Sequence, residues 1–173
     1  MTRKSLRIGF DGSAFNHQRA GGINRYFCVL IPRLPHRFEP VVYGTSNFGS
    51  CSVKHLHHRV LSGLDIRPKG LGLVVRQVRW TRLLDRGLDV IHPTFLDLVD
   101  NLTIRRFKAP LVVTVYDLIY ANNPHLFDDA ASVIATQREL VLHAEAIVCI
   151  SKYAEGALLT LYPSAAVEHT WST

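Results

Sequence analysis

The strongest constraint on the fold is a series of short apolar runs that alternate with amphipathic helical patterns. The two clearest runs, LVVTVY at 111–116 and AIVCI at 146–150, have strand length and are almost wholly apolar. Strands that are apolar on both faces are typical of parallel sheets covered by helices. We therefore expect an α/β fold: a doubly wound, mostly parallel, Rossmann-like sheet with helices on both faces.

The order of elements follows from the same patterns and from Gly and Pro breakers. Loops are expected at 13–20 and 121–126, and Pro32 is expected to kink or stop the first helix. Ser151 has the residue type and position of a helix N-cap. The predicted strands are 6–11, 40–43, 56–61, 88–92, 111–116 and 146–150, and the predicted helices are 21–34, 73–86, 128–143 and 151–161.

The chain length fits one domain, which we expect to span residues 1–173. No apolar run approaches the roughly 18–20 residues of a membrane-spanning helix. The start, MTRKSLRIGF, has no apolar core of a secretory signal. We therefore expect a cytoplasmic protein.

The cysteines favour the same compartment. Cys28, Cys51 and Cys149 are far apart and form no C-x-x-C pattern. An odd number argues against a disulfide framework. Cys28 and Cys149 are flanked by apolar residues, so we expect both to be small core residues.

Charge is distributed unevenly along the chain. Residues 1–86 hold 15 basic and 4 acidic residues, a net of +11, whereas residues 87–173 hold 5 basic and 10 acidic residues, a net of −5. A basic half of this kind suits an anionic partner, such as a phosphorylated ligand or a membrane surface. A basic but otherwise ordinary solvated surface is the alternative.

Candidate functional residues lie where the predicted strands end, because ligands of doubly wound sheets bind outside the carboxyl ends of the strands. Gly21 and Gly22 open a helix after the first strand, and a helix N-terminus with glycine suits a phosphate group. An ordinary helix start is the alternative for these glycines. Polar residues at three later strand ends are His92, Tyr116, Asp117, Ser151 and Lys152. A buried histidine at 92 and a turn-capping aspartate at 117 are the alternatives there.

The segments that carry these residues resemble a known family. IGFDGSAF with AGGINRYF, then DVIHPTF, APLVVTVYDLIYANNPHLF and AEAIVCISKYAEGALLTLYP run from residue 8 to residue 163. In this order they resemble the N-terminal half of a GT-B glycosyltransferase of group 1, also called family 4. The resemblance implies one Rossmann-like half of a two-domain enzyme. It also implies sugar transfer from a nucleotide-diphosphate-sugar to a saccharide or lipid-linked acceptor, without a metal or other cofactor.

The resemblance also assigns roles. It places Gly21 and Gly22 near the donor phosphates, and Tyr116 and Asp117 in the catalytic cleft. The family often has His-Asp where this chain has Tyr116-Asp117, so the imidazole is replaced by a phenol. The acceptor side of the cleft is expected to include Asn24, Arg25, His92, Ser151 and Lys152.

The chain departs from the family in length. Family members are roughly twice this size, which fits two domains, and their C-terminal domain carries two glutamates separated by seven residues. No two glutamates here have that separation. We therefore expect half of an enzyme whose partner is a C-terminal GT-B domain, in the same chain or as a separate one. We expect the half alone to be inactive or nearly so, since most groups that stabilise the leaving diphosphate are missing.

A basic helical segment suggests one further partner. In VVRQVRWTRLLDRG, Arg79, Arg82 and Arg86 are spaced i, i+3 and i+7, and Trp80 lies beside the first. An arginine and tryptophan face suits the anionic inner surface of a membrane. A solvated helix face is the alternative.

Other function classes follow from the same residues. A stand-alone nucleotide or phosphosugar binding module would use Gly21 and Gly22 without a second domain. Nucleic-acid binding is not expected, because the sequence has no zinc, RNP or helix-turn-helix pattern. A metal site is not expected either, since His57 and His58 would lie on opposite faces of a strand.

Overall fold

The computed structural model describes residues 5–17, 21–43, 57–59, 87–95 and 107–168. The chain divides into two compact units, Met1–Ala109 and Pro110–Thr173. The prediction of a single domain over residues 1–173 stays a prediction.

The first unit is built on a four-stranded parallel sheet. Its strands are β1 (Leu6–Asp11), β2 (Phe38–Tyr43), β3 (His57–Arg59) and β4 (Val90–His92). Their order in the sheet is β3-β2-β1-β4, and β1 pairs in parallel with both β2 and β4. The predicted parallel α/β architecture is therefore confirmed for this unit.

Helix α2 (Gly22–Leu30) follows the extended residue Gly21 and ends where proline was expected to stop it. Ile31–Arg33 forms a short 3-10 helix with Pro32 in its first turn. Proline fits there because the first turn of a helix needs no N–H donor from that residue. The predicted helix 21–34 therefore ends as an α-helix four residues early.

The core of the first unit lies between the middle of the sheet and α2. The rings of Phe10 and Phe27 meet edge to face with centroids 5.9 Å apart, and both side chains are fully buried together with Val42, which is in register with Phe10. A Cβ at Gly9 would collide with the side chain of Leu88. A larger residue at position 9 would therefore require the Leu88 side chain to move.

The second unit contains a two-stranded parallel sheet, β5 (Val112–Val115) and β6 (Ala146–Cys149). The main helices are α4 (Ala130–His143) and α5 (Lys152–Leu161). The predicted N-cap is confirmed, because the Ser151 hydroxyl oxygen accepts a hydrogen bond of 3.1 Å from the Ala154 N–H. The strands and helices of this unit therefore match the sequence pattern within a few residues.

The loops predicted at 13–20 and 121–126 are partly helical. Helix α1 (Ser13–His17) follows β1 directly. Helix α3 (Ile119–Asn122) and a 3-10 helix at Pro124–Leu126 occupy the second segment. Tertiary contacts outweigh the weak local propensity in both places. The Thr94 hydroxyl accepts from the Ala14 N–H in the first, and the rings of Tyr120 and Phe127 lie 4.3 Å apart in the second.

The cysteine prediction is half right. Cys149 is a buried free thiol, as expected. Burial, with a smaller contribution from the negative charge of Glu155, raises its pKa to about 11. Cys28 is half-buried in α2 and is disulfide-bonded, so its prediction as a simple core residue was wrong. The odd number of cysteines argued against a framework of disulfides, but it could not exclude one bond.

Part of the sequence pattern falls outside the described residues. That part includes the predicted helix 73–86, together with the candidate membrane residues Arg79, Trp80, Arg82 and Arg86. Within the described ranges, we find no helix that is both long and apolar enough to cross a bilayer.

Candidate functional site at the carboxyl ends of the strands

The strand order of the first unit marks one place in its sheet where a ligand is expected. From β1 the chain moves outward through β2 to β3, and then returns to the other side of β1 to form β4. The direction therefore reverses between β1 and β4, and such a switch point is the usual ligand site of an open parallel sheet. Asp11 ends β1 and His92 ends β4.

A buried hydrogen-bond network joins the two segments that follow these strands. The Asp11 carboxylate accepts from the Thr94 N–H at 2.8 Å and from the Ser13 hydroxyl at 3.0 Å. The Thr94 hydroxyl accepts from the Ala14 N–H at 3.1 Å and lies 2.8 Å from the Asp11 carbonyl oxygen, to which it donates. Thr94 is 0% exposed. The network therefore fixes the start of α1 against the end of β4.

His92 is a buried aromatic neighbour of this network. Its ring lies 5.3 Å from the Phe10 ring and 5.5 Å from the Phe27 ring, and the residue is 8% exposed. Desolvation lowers its pKa to about 4. His92 is therefore neutral at physiological pH. Its burial and its contacts with two aromatic rings agree with the alternative of a buried histidine.

Gly22, the first residue of α2, has open space around it within the described part of the chain. Gly21 is extended, and no side chain in the described part of the chain caps the helix. A Cβ at Gly22 would meet no atom of the described residues within 4 Å, so packing against that part of the chain does not explain glycine at this position. Arg25 is exposed and Asn24 is buried. Of these two cleft candidates, only Arg25 presents its side chain to solvent.

In the second unit, Tyr116 and Asp117 follow β5 as predicted. Tyr116 is half-buried and Asp117 is exposed. The Oδ1 atom of Asp117 accepts a hydrogen bond of 3.2 Å from the Ile119 N–H. Asp117 thus caps the turn before α3, which agrees with the alternative of a turn-capping aspartate. Its side chain is nevertheless exposed, so a ligand can reach it.

Ser151 and Lys152 lie at the end of the neighbouring strand. The Ile150 N–H donates to the Val115 carbonyl at 3.2 Å, so the segments after β5 and β6 leave the same edge of the sheet. Ser151 caps α5, and Lys152 is exposed at its first turn. The structure therefore brings the four predicted residues of this unit to one edge, with a carboxylate and an ammonium group both open to solvent.

Sequence reasoning missed Gln137 in α4. Gln137 is 3% exposed, and its Nε2 donates to the Asp117 carbonyl oxygen at 3.2 Å. Within the described residues its Oε1 has no hydrogen-bond partner. One signal was present in the sequence, because Gln137 falls on the same helix face as the buried Leu140 and Val141.

Metal ligands are a separate question. In the described ranges, no group of three or more His, Cys, Asp or Glu residues is arranged to hold a metal ion. The polar groups at the two edges are instead single carboxylates, hydroxyls, an amide and cationic side chains. Such groups bind hydroxyl-bearing or anionic ligands by hydrogen bonds.

Comparison with protein-family models gives no match for this chain, and comparison with curated protein sequences gives none either. Function is therefore inferred from the residues themselves.

Proposed function

We propose that this chain is the acceptor-side, N-terminal domain of a GT-B-type glycosyltransferase. The whole enzyme would transfer a sugar from a nucleotide-diphosphate-sugar to a saccharide or lipid-linked acceptor. In this proposal the chain is one doubly wound, Rossmann-like half of the enzyme. The main support is that the segments after β5 and β6, which carry the resemblance most clearly, leave one edge of a parallel sheet with Asp117 and Lys152 exposed.

Asp117 is the proposed catalytic group. Its exposed carboxylate can accept a hydrogen bond from an acceptor hydroxyl and orient that hydroxyl toward the donor sugar. Tyr116 precedes it with a phenol that can both donate and accept hydrogen bonds. Lys152, at the neighbouring strand end, provides a positive charge beside the acceptor.

The start of α2 is the proposed approach for the donor phosphates. The first N–H groups of a helix attract anions through hydrogen bonds and the helix dipole. Open space at Gly22 allows a phosphate to come close to the backbone. The remaining groups that stabilise the leaving diphosphate would come from a C-terminal domain, and without them transfer is expected to be slow.

The first test asks what the gene encodes after codon 173. A second α/β domain with two glutamates separated by seven residues supports the proposal. The two-domain product is then assayed with UDP-, GDP- and ADP-sugars and a panel of saccharide and lipid-linked acceptors. We expect transfer by this product, almost none by residues 1–173 alone, and a loss of at least a hundredfold in Asp117→Asn.

Asp128→Asn is the matched control, because Asp128 is also exposed in the second unit but lies in the turn before α4 and does not directly follow a strand. It should keep full activity. Tight binding of a nucleotide by residues 1–173 with no transferase activity in the gene product would favour the stand-alone binding module instead.

The membrane contact is tested separately. Arg79, Arg82 and Arg86 are changed together to Gln, and both proteins are sedimented with vesicles with and without anionic lipid. We expect the unmodified chain to bind only the anionic vesicles and to lose this binding at high salt. Equal, poor retention on both vesicle types would reject the membrane partner.

A further inference from the structure

The buried side chain of Gln137 in α4 lowers the stability of the fold through one of its polar atoms. A buried acceptor without a donor is destabilising, and the Gln137 Oε1 atom is such an acceptor within the described residues. An apolar side chain of similar shape, such as Met, would remove this acceptor. The reason for glutamine at this position must therefore lie in the amide nitrogen, Nε2.

The amide nitrogen of Gln137 contacts Asp117. The Gln137 Nε2 atom donates to the Asp117 carbonyl oxygen at 3.2 Å, and the Ile119 N–H donates to the Asp117 Oδ1 at 3.2 Å. The residue is thus fixed through its backbone and through one carboxylate oxygen. Its Oδ2 forms no hydrogen bond in the described part of the chain and stays on an exposed side chain.

Fixing Asp117 in this way sets the direction of the remaining carboxylate oxygen. A hydrogen bond to a charged acceptor depends strongly on distance and angle. If the Asp117 backbone moves by even an ångström, the Oδ2 atom no longer meets a ligand hydroxyl in good geometry. The amide of Gln137 prevents this movement at the point where β5 ends and the turn begins.

We propose that Gln137 is a positioning residue that acts through Asp117, holding its carboxylate for a hydroxyl of the saccharide acceptor. This inference rests on the proposed function, because it takes Asp117 as the group that meets the acceptor. The inference extends the proposed acceptor site to a residue of α4, a helix that carries no functional motif in its sequence.

The first test separates positioning from stability. In Gln137→Met, the midpoint of thermal unfolding should change little, because removal of the unpaired buried acceptor offsets the loss of the hydrogen bond to the Asp117 carbonyl. Binding of free glucose, galactose, mannose and N-acetylglucosamine is followed by NMR titration of the 173-residue chain. The dissociation constant of each sugar that binds should rise about tenfold, which is the loss of one well-placed hydrogen bond to a charged group.

Arg138→Met is the matched control, because Arg138 is the exposed neighbour in the same helix. It should leave sugar binding unchanged. A fall in the unfolding midpoint of Gln137→Met with unchanged sugar affinity would show a purely structural role and overturn the inference.

The second test is a double-mutant cycle. Asp117→Ala should weaken binding about tenfold or more, and adding Gln137→Met to it should weaken binding no further, because Gln137 acts only through Asp117. Independent, additive losses would overturn the inference while leaving the proposed function intact. If the unmodified chain binds none of the sugars, the proposed acceptor site itself fails, and the role of Gln137 fails with it.

Discussion

The Oδ1 atom of Asp11 accepts a hydrogen bond of 2.8 Å from the backbone N–H of Thr94, 83 positions later in the chain. The bond crosses the switch point of the four-stranded sheet, from the end of β1 to the segment after β4. It is buried, so water does not compete for either group. One side chain therefore fixes the edge of the sheet where a ligand of the first unit is expected.

Asp11→Ala should destabilise the first unit by about 3 kcal/mol. It leaves the buried Thr94 N–H and the Ser13 hydroxyl without their charged acceptor, and each such loss costs about 1–3 kcal/mol. Urea unfolding at pH 7.5 gives the free energy of unfolding. Asp128→Ala, at an exposed position, should change it by less than about 0.5 kcal/mol. Equal effects of the two substitutions would contradict the importance of the Asp11 network.

His92 should make the protein less stable as the pH falls from about 6.5 to about 4. Burial lowers its pKa in the folded state to about 4, whereas a histidine in the unfolded chain has a pKa near 6.5. Between these values only the unfolded state binds the proton, so acid favours unfolding by about 1.4 kcal/mol per pH unit. Above pH 6.5 both states are neutral and this effect vanishes.

Replacement of His92 by Phe should remove that part of the pH dependence, because it replaces the imidazole beside Phe10 and Phe27 with a ring that has no titratable group. Urea unfolding at pH 7.5, 6.0 and 5.0 measures the slope. His143→Gln, a substitution of an exposed histidine, is the control. If the free energy of unfolding of the His92→Phe variant depends on pH as steeply as that of the unmodified protein, titratable groups other than His92 cause the dependence.

Gly22→Ala should separate ligand binding from stability. The added methyl group meets no atom of the described residues within 4 Å, so the free energy of unfolding should stay the same or rise by up to about 1 kcal/mol. In the two-domain enzyme that we propose, the same methyl group would stand in the path of the donor phosphates. We expect the dissociation constant of UDP or GDP to rise about tenfold or more, a change of about 1.4 kcal/mol.

Gly156→Ala in α5 provides the comparison, because a Cβ there also meets no atom within 4 Å among the residues that the structure describes. It should stabilise the helix by about 1 kcal/mol and leave nucleotide binding unchanged. Unaltered nucleotide affinity in both variants would contradict the proposal that the start of α2 contacts the donor phosphates.

Cys149 should be inert in the folded protein. Its thiol is buried, and the same burial raises its pKa to about 11, so almost no thiolate exists at pH 8. Treatment with iodoacetamide at pH 8, followed by peptide mass spectrometry, should leave Cys149 unmodified until urea unfolds the chain. Rapid alkylation of the native protein would show that β6 opens readily.

Much of the candidate site could be placed from the sequence because it lies where strands end. The apolar runs located β1, β5 and β6, and the residues after them, Tyr116, Asp117 and Ser151, lie at those ends in the structure. The Ser151 cap is a local interaction over three residues, so its residue type was sufficient to predict it.

The burial of His92 and the role of Gln137 could not be predicted in the same way. The pattern around His92 fits an exposed strand end and a buried ring equally well, and only the packing of Phe10 and Phe27 decides between them. Gln137 lies 20 positions from the carbonyl that it holds. Nothing in the spacing of the sequence indicates that contact.

The sequence by itself determined the local elements: strands from apolar runs, helices from their periodicity, the end of α2 from Pro32 and the start of α5 from Ser151. These depend on backbone conformation and on contacts within a few residues. The tertiary structure alone decided the strand order, the helical state of α1 and α3, and which polar groups are buried together. Those outcomes depend on hydrogen bonds and packing between distant segments, such as the bond from Thr94 to Asp11, and no local pattern encodes them.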